Sequence, residues 1–186
     1  MKLYIKDMLT LNSQVIVRGE LMRLGLHPIS VDRGVADIRE SPVQVQQREL
    51  RMALAEAGFE LLEDKKDILI LQIKNIIMEV VYDTGEPLVY NLSEYLSDRL
   101  SHDYTYMSNL FSERLDTTIE KFYIRHKIER VKDMLLFEGL TLTEIAYKMH
   151  YSSLAHLSSQ FKKITGQTTS QFKRQNSRNQ PMRAEY

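Results

Sequence analysis

The sequence predicts an α+β chain, with a small βαββαβ sandwich followed by an all-α half. Three observations carry that reading. Up to about residue 62, stretches of period two alternate with stretches of helical period. From Leu92 onward the chain reads as helix, and it repeats itself at an offset of 50 residues. Charge is also unevenly divided. The net charge is +0, yet Met1 to Glu86 carries 11 Lys/Arg against 14 Asp/Glu, and Lys121 to Tyr186 carries 12 against 5.

"KLYIK" (2–6) alternates polar and apolar residues, as a half-buried strand does. "SQVIVRGELMRLG" (13–25) sets Val17, Leu21 and Leu24 on one helical face, with Ser13 expected as its cap and Gly25 as its stop. "HPISVDRGVADI" (27–38) reads as two short strands around a turn at Asp32-Arg33-Gly34. "SPVQVQQRELRMALAEAGF" (41–59) reads as a helix with Ser41 as N-cap and Pro42 in its first turn, and "FELLE" as a last strand. This order is that of a split βαβ, ferredoxin-like sandwich. "EDKKDILILQIKNIIMEVVYDTGEP" (63–87) follows as a strong helix, with Ile70, Ile73, Ile77, Val80 and Val81 at helical spacing and Gly85-Glu86-Pro87 closing it. The expected division is 1–62 for the sandwich, 63–176 for the helical domain and 177–186 for a flexible tail.

The 186 residues contain no cysteine, which excludes disulfides and thiolate chemistry. No apolar run approaches the roughly 18 residues that cross a bilayer, and the N-terminus lacks a secretory pattern. A cytoplasmic protein without membrane contact is expected. Neither a Ser/His/Asp set nor a glycine-rich phosphate cradle is present, so no enzyme and no cofactor are expected.

The first loop, Met8-Leu9-Thr10-Leu11-Asn12-Ser13, resembles that of a heavy-metal-associated domain, which carries Met-x-Cys-x-x-Cys. Thr10 and Ser13 occupy the two cysteine positions. Neutral hydroxyls are poor ligands for soft Cu(I), so no metal is expected. The resemblance implies a degenerate domain that keeps the fold and binds an unknown protein or small molecule.

In the helical half, "MSNLF" (107–111) aligns with "LSSQF" (157–161), Thr118 with Thr168, Phe122 with Phe172, and Asp116 with Gly166. Each copy reads as a capped helix, a turn, a second helix with apolar anchors, and a further helix. In the first copy Ser93 starts "SEYLSDRL", the turn is Ser101-His102-Asp103, and Met107, Leu110 and Phe111 face inward. In the second, Thr141 or Thr143 caps "EIAYKM", the turn is His150-Tyr151, and Ser152 or Ser153 caps the next helix. There Leu157, Phe161 and Ile164 are expected inward. The segment 117–137 lacks Pro and Gly and lines Ile124, Ile128, Val131 and Leu135 on one side, as a rigid connector would.

With Leu157 and Phe161 turned inward, Ala155, His156, Ser159 and Lys163 fall on other faces. Small side chains let a helix sit deep in a major groove. Ser152, Ser153 and Ser158 suit phosphate oxygens, and Lys162 and Lys163 supply charge.

Residues 91–174 resemble the DNA-binding domain of AraC/XylS-type transcription regulators. The resemblance rests on two helix-turn-helix units, their connector, and Ile145-Ala146, Leu157, Phe161-Lys162-Lys163 and Gly166. It implies base readers at Thr105, Ser108 and Asn109, and at Leu154, Ala155, His156 and Ser159. Asn109 suits bidentate pairing with adenine. Tyr104 and Tyr106 are divided between phosphate contact and packing, while His102 and His126 read as surface residues. Ser101 and His150 occupy the family's turn-glycine positions, Thr169 replaces its Pro, and Ser159 replaces an Arg. The second unit then acts more as a phosphate clamp.

The expected function is a transcription regulator that places two recognition helices in successive major grooves of double-stranded DNA. RNA polymerase contact is an expectation of the resemblance. The alternative is a protein-interaction adaptor that has lost specific DNA binding, for which the zero net charge and the missing Arg speak.

Overall fold

The computed structural model describes residues 1–41, 44–82 and 91–177. The chain divides into two compact units, Met1–Ile76 and Ile77–Tyr186, taken separately below. Pro42, Gly85-Glu86-Pro87 and the tail from residue 178 lie outside the described residues.

The first unit runs β1 (Lys2–Lys6), α1 (Leu11–Arg23), β2 (Pro28–Asp32), β3 (Val35–Ile38), α2 (Gln44–Glu56) and β4 (Glu60–Leu62). The strands form one sheet in the order β2-β3-β1-β4, every neighbour antiparallel. The hairpin between β2 and β3 closes through Arg33 (φ 24°) and Gly34 (φ 79°). Two positive-φ residues match the right-handed twist of the flanking strands. Alternation in β1 places Leu3 and Ile5 in a core with Val17, Leu21, Ala36, Leu50 and Leu54. Tyr4 is half-buried.

A third helix, α3 (Lys65–Tyr82), starts in this unit, and the division between the units falls inside it rather than near residue 63. Its first half belongs with the sheet because its polar side chains find backbone and hydroxyl partners there. The Asn75 amide donates to the Arg33 carbonyl at 2.6 Å, and Gln72 donates to the Tyr4 hydroxyl at 3.3 Å.

One cap differs from expectation. Thr10, not Ser13, caps α1, and Ser13 answers from the third helical position, its Oγ accepting the Thr10 N–H at 2.9 Å. The cap therefore sits three residues earlier than the sequence suggests, and the Thr10 and Ser13 hydroxyls are bound to each other and to backbone.

The second unit contains α4 (Leu92–Leu100), α5 (Tyr104–Leu115), α6 (Ile119–Phe137), α7 (Leu142–Lys148), α8 (Leu154–Thr165) and α9 (Thr169–Ser177). Asn91 rather than Ser93 caps α4, its side chain accepting from Glu94 N–H at 2.9 Å. Thr141 caps α7 in a capping box with Glu144, and Ser153 caps α8. The 50-residue repeat persists in three dimensions. Phe111 meets Phe122 with ring centroids 5.5 Å apart at 70°, and Phe161 meets Phe172 at 5.6 Å and 70°.

Ser101, Asp116 and His150 adopt left-handed backbone, with φ of 55°, 52° and 52°. Such a conformation costs roughly 1–2 kcal/mol for a residue with a Cβ. Asp116 stands opposite Gly166, which has φ 77°. Ile124 is half-buried, while Ile128, Val131 and Leu135 are buried along α6. Ile164, expected inward, is 43% exposed. Among the described residues no helix is long and apolar enough to cross a membrane.

Candidate nucleic-acid interface

Each helix pair orients its second helix with the same two devices. A side-chain oxygen at the N-cap satisfies the first turn, Asp103 accepting from Tyr106 N–H at 3.0 Å and Ser153 from His156 N–H at 3.1 Å. Buried anchors then fix the rotation: Met107, Leu110 and Phe111 on α5, Leu157 and Phe161 on α8. What remains outward follows from helical geometry. On α5 it is Thr105, Tyr106 and Asn109, with Glu113 and Arg114 in the last turn and Ser108 half-buried. On α8 it is Leu154, Ala155, His156, Ser159, Lys162, Lys163 and Ile164, with Ser158 half-buried.

Side chains at the N-terminal end of α8 contact one another. Ser152 Oγ lies 3.0 Å from His156 Nδ1, and the His156 ring meets the Tyr151 ring edge-on at 5.3 Å. The Tyr151 hydroxyl donates to Gln160 Oε1 at 2.7 Å. His156 is thus held by its Nδ1 side, which leaves Nε2 for an outside partner. In the first copy the equivalent pair is His102 with Tyr106, ring centroids 5.9 Å apart, and Tyr106 is 45% exposed. His126 is half-buried, its ring tilted 56° to that of Phe122 with centroids 4.4 Å apart, unlike the plain surface residue expected.

Tyr104 is half-buried, and its hydroxyl donates to the Glu120 carboxylate. Burial first, then this bond, pushes the Tyr104 hydroxyl above the usual phenol range, and the bond holds Glu120 below the usual carboxylate range. Its proton is committed to Glu120, so Tyr104 offers an outside group only its oxygen lone pairs.

Charge separates the two copies. Residues 92–115 hold 2 Lys/Arg against 4 Asp/Glu, while 142–165 hold 3 against 1. Several other cations of this unit are matched internally. Arg99 pairs with Glu79 at 3.1 Å, Arg130 and Lys148 share Glu138 at 2.8 and 2.9 Å, and Lys132 pairs with Glu129 at 2.8 Å. Lys127 lies over the Tyr151 ring at 4.2 Å, and burial depresses its ammonium to about 8. Among the described residues Lys162 and Lys163 have no carboxylate partner, which leaves their charge for an external anion.

Exposed Tyr106 and the exposed α6 cations Lys121 and Arg125 lie outside the set of readers and clamps expected from sequence. Tyr106 is readable from the repeat, since it aligns with His156.

Comparison with known proteins agrees with this geometry. Residues 96–175 match the family model described as a helix-turn-helix domain. No curated protein shows a sequence match to the chain. Among solved structures, the chain resembles the C-terminal domain of AraT, a response regulator from Geobacillus stearothermophilus. The TM-score is 0.52 at 20% identity, covering 66% of this chain and 93% of the other. It also resembles a DNA-binding transcriptional dual regulator from Escherichia coli, at a TM-score of 0.50 and 12% identity, covering 59% of this chain and 93% of that one. At these identities the likeness is one of fold.

Proposed function

We propose that the helical unit binds double-stranded DNA in a transcription regulator, with α5 and α8 as recognition helices in successive major grooves. The observation that carries this is the duplication itself: two helix pairs capped at corresponding positions, each with a second helix that makes a like aromatic contact to the helix after it and turns polar side chains outward. Grooves on one face of the duplex are ~34 Å apart, so a single chain spans an asymmetric site. Thr105, Ser108 and Asn109 read bases on α5, while Leu154, Ala155, His156 and Ser159 face the groove on α8. Ser152, Ser153, Ser158, Lys162 and Lys163 hold phosphates. RNA polymerase is the expected protein partner near a promoter.

The first unit, in this reading, is a ferredoxin-like domain that receives a protein or small-molecule signal. Its element order and its β2-β3-β1-β4 antiparallel sheet support that assignment.

Site selection from a random duplex pool by the full chain tests the proposal, with one motif spanning two major grooves as the expected result. Lys162→Ala should then weaken binding to all sequences alike and cut the salt slope by ~0.9. Asn109→Ala should cost ~1–3 kcal/mol on the selected site only. If both variants behaved identically, the division into clamp and reader would fail.

The acidic first helix pair favours a second reading, an adaptor whose helical unit contacts proteins. Affinity for duplex DNA that does not fall with log salt would support the adaptor.

A further inference from the structure

Between the C-terminal ends of α5 and α8 and the first half of α6 lies a groove of about 760 Å³. Leu115, Phe122 and Ile124 line it together with Lys121, Arg125, Lys132 and Lys163. Lys132 is neutralised by Glu129, which also lines the groove, at 2.8 Å. Lys121, Arg125 and Lys163 are exposed and have no carboxylate within ion-pair distance among the described residues. Asp116 is the other lining carboxylate among the described residues, so three cations face a single anion not tied up by Lys132.

Lys121 and Arg125 stand one turn apart on α6, four residues from each other, and so project along one face. Lys163 follows Ser159 by the same interval on α8, which makes the groove continuous with the outward face of that helix. Holding three such cations together costs mutual repulsion, which an external polyanion relieves.

We propose that this groove seats the phosphate backbone beside the minor groove that separates the two major grooves, with Lys121 and Arg125 as phosphate contacts supplied by α6. The inference rests on the DNA-binding reading above. Two major grooves on one face of a duplex are divided by a minor groove with a phosphate strand on each side. α6 packs against both α5 and α8, so the element joining the recognition helices lies over that divide. It also answers a charge problem. The first helix pair, with 2 cations against 4 anions, is a poor phosphate ligand, and the connector supplies what it lacks. Arg125 adds a planar fork suited to bidentate phosphate contact.

The test measures affinity of the full chain for its selected duplex, or for a random-sequence duplex of two helical turns, across a range of salt. The double variant Lys121→Gln/Arg125→Gln should reduce the log–log slope by ~1.8, at 0.9 per phosphate, with sequence preference unchanged. Ethylation of the central phosphates should block wild-type binding and leave the double variant indifferent. The exchange Lys121→Arg/Arg125→Lys should keep the wild-type slope, and unchanged thermal transitions would show that both variants fold. Wild-type binding with an unaltered slope in the double variant, or without sensitivity at the central phosphates, would overturn the inference and leave the DNA-binding reading intact. Failure of the wild type to bind duplex DNA would remove that reading, and the inference with it.

Discussion

Lys127 offers a prediction whose size follows from the structure. Lys127 is half-buried on α6, its ammonium 5.4 and 4.2 Å from the ring centroids of Tyr123 and Tyr151, and no carboxylate pairs with it among the described residues. Burial lowers its pKa from 10.5 to about 8. At 1.36 kcal/mol per unit, that shift amounts to ~3 kcal/mol of cost carried by the charged form. The ring faces return ~0.5–2 kcal/mol. Lys127→Met keeps the stem and removes the charge, so it should raise stability by ~1–2 kcal/mol at neutral pH.

The pH dependence has a definite sign. The folded pKa lies below the unfolded one, so between about 8 and 10.5 the unfolded chain binds the extra proton and wild-type stability rises with pH. The variant lacks that rise, and its advantage should shrink by ~2 kcal/mol between pH 7 and about pH 9.5. Burial pushes the Tyr123 and Tyr151 hydroxyls upward, away from this window. Urea unfolding at the two pH values measures the gap. A gap that did not change with pH, or a variant less stable at pH 7, would refute burial as the dominant effect.

Two glycines should respond oppositely to alanine. Gly19 sits inside α1, and a methyl group added there would meet nothing within 4 Å, so Gly19→Ala should stabilise by ~0.5–1 kcal/mol in a thermal melt. Gly34 has φ 79°, and an added Cβ would lie 2.8 Å from Leu71 Cδ1 and 3.0 Å from the Ile5 carbonyl, so Gly34→Ala should destabilise by ~2 kcal/mol or more. Phe111→Ala and Phe161→Ala should each cost ~3–5 kcal/mol by urea unfolding, and a large difference between them would mean that the repeat is not energetic.

Much of this organisation is legible in the chain. The strand at Lys2–Lys6 follows from alternation, and the Arg33-Gly34 turn from its residues, because both depend on local chemistry. The Phe111–Phe122 and Phe161–Phe172 contacts follow from a repeat that the sequence displays directly. The caps at Thr10 and Asn91 are harder to read, because two competent side chains stand within three residues and either can accept the first-turn N–H groups. Spacing alone turns Ile164 inward, although the last turn of a helix can run past its core. The cation set of α6 and α8 is hidden because Arg125 and Lys163 are distant in sequence, and because which lysines are neutralised depends on partners such as Glu129 and Glu138.

The paired aromatic contacts have a consequence for how such a protein can change over generations. The second helix of each pair makes its own ring contact with the helix that follows, Phe111 on Phe122 and Phe161 on Phe172, and owes its seating to residues that point away from the outward face. Alterations at Thr105 or Asn109 therefore leave the anchoring of α8 untouched, and alterations at Ala155 or Ser159 leave that of α5 untouched. In the DNA-binding reading proposed above, a duplicated scaffold of this kind would let one half drift to a new preference while the other preserved the old.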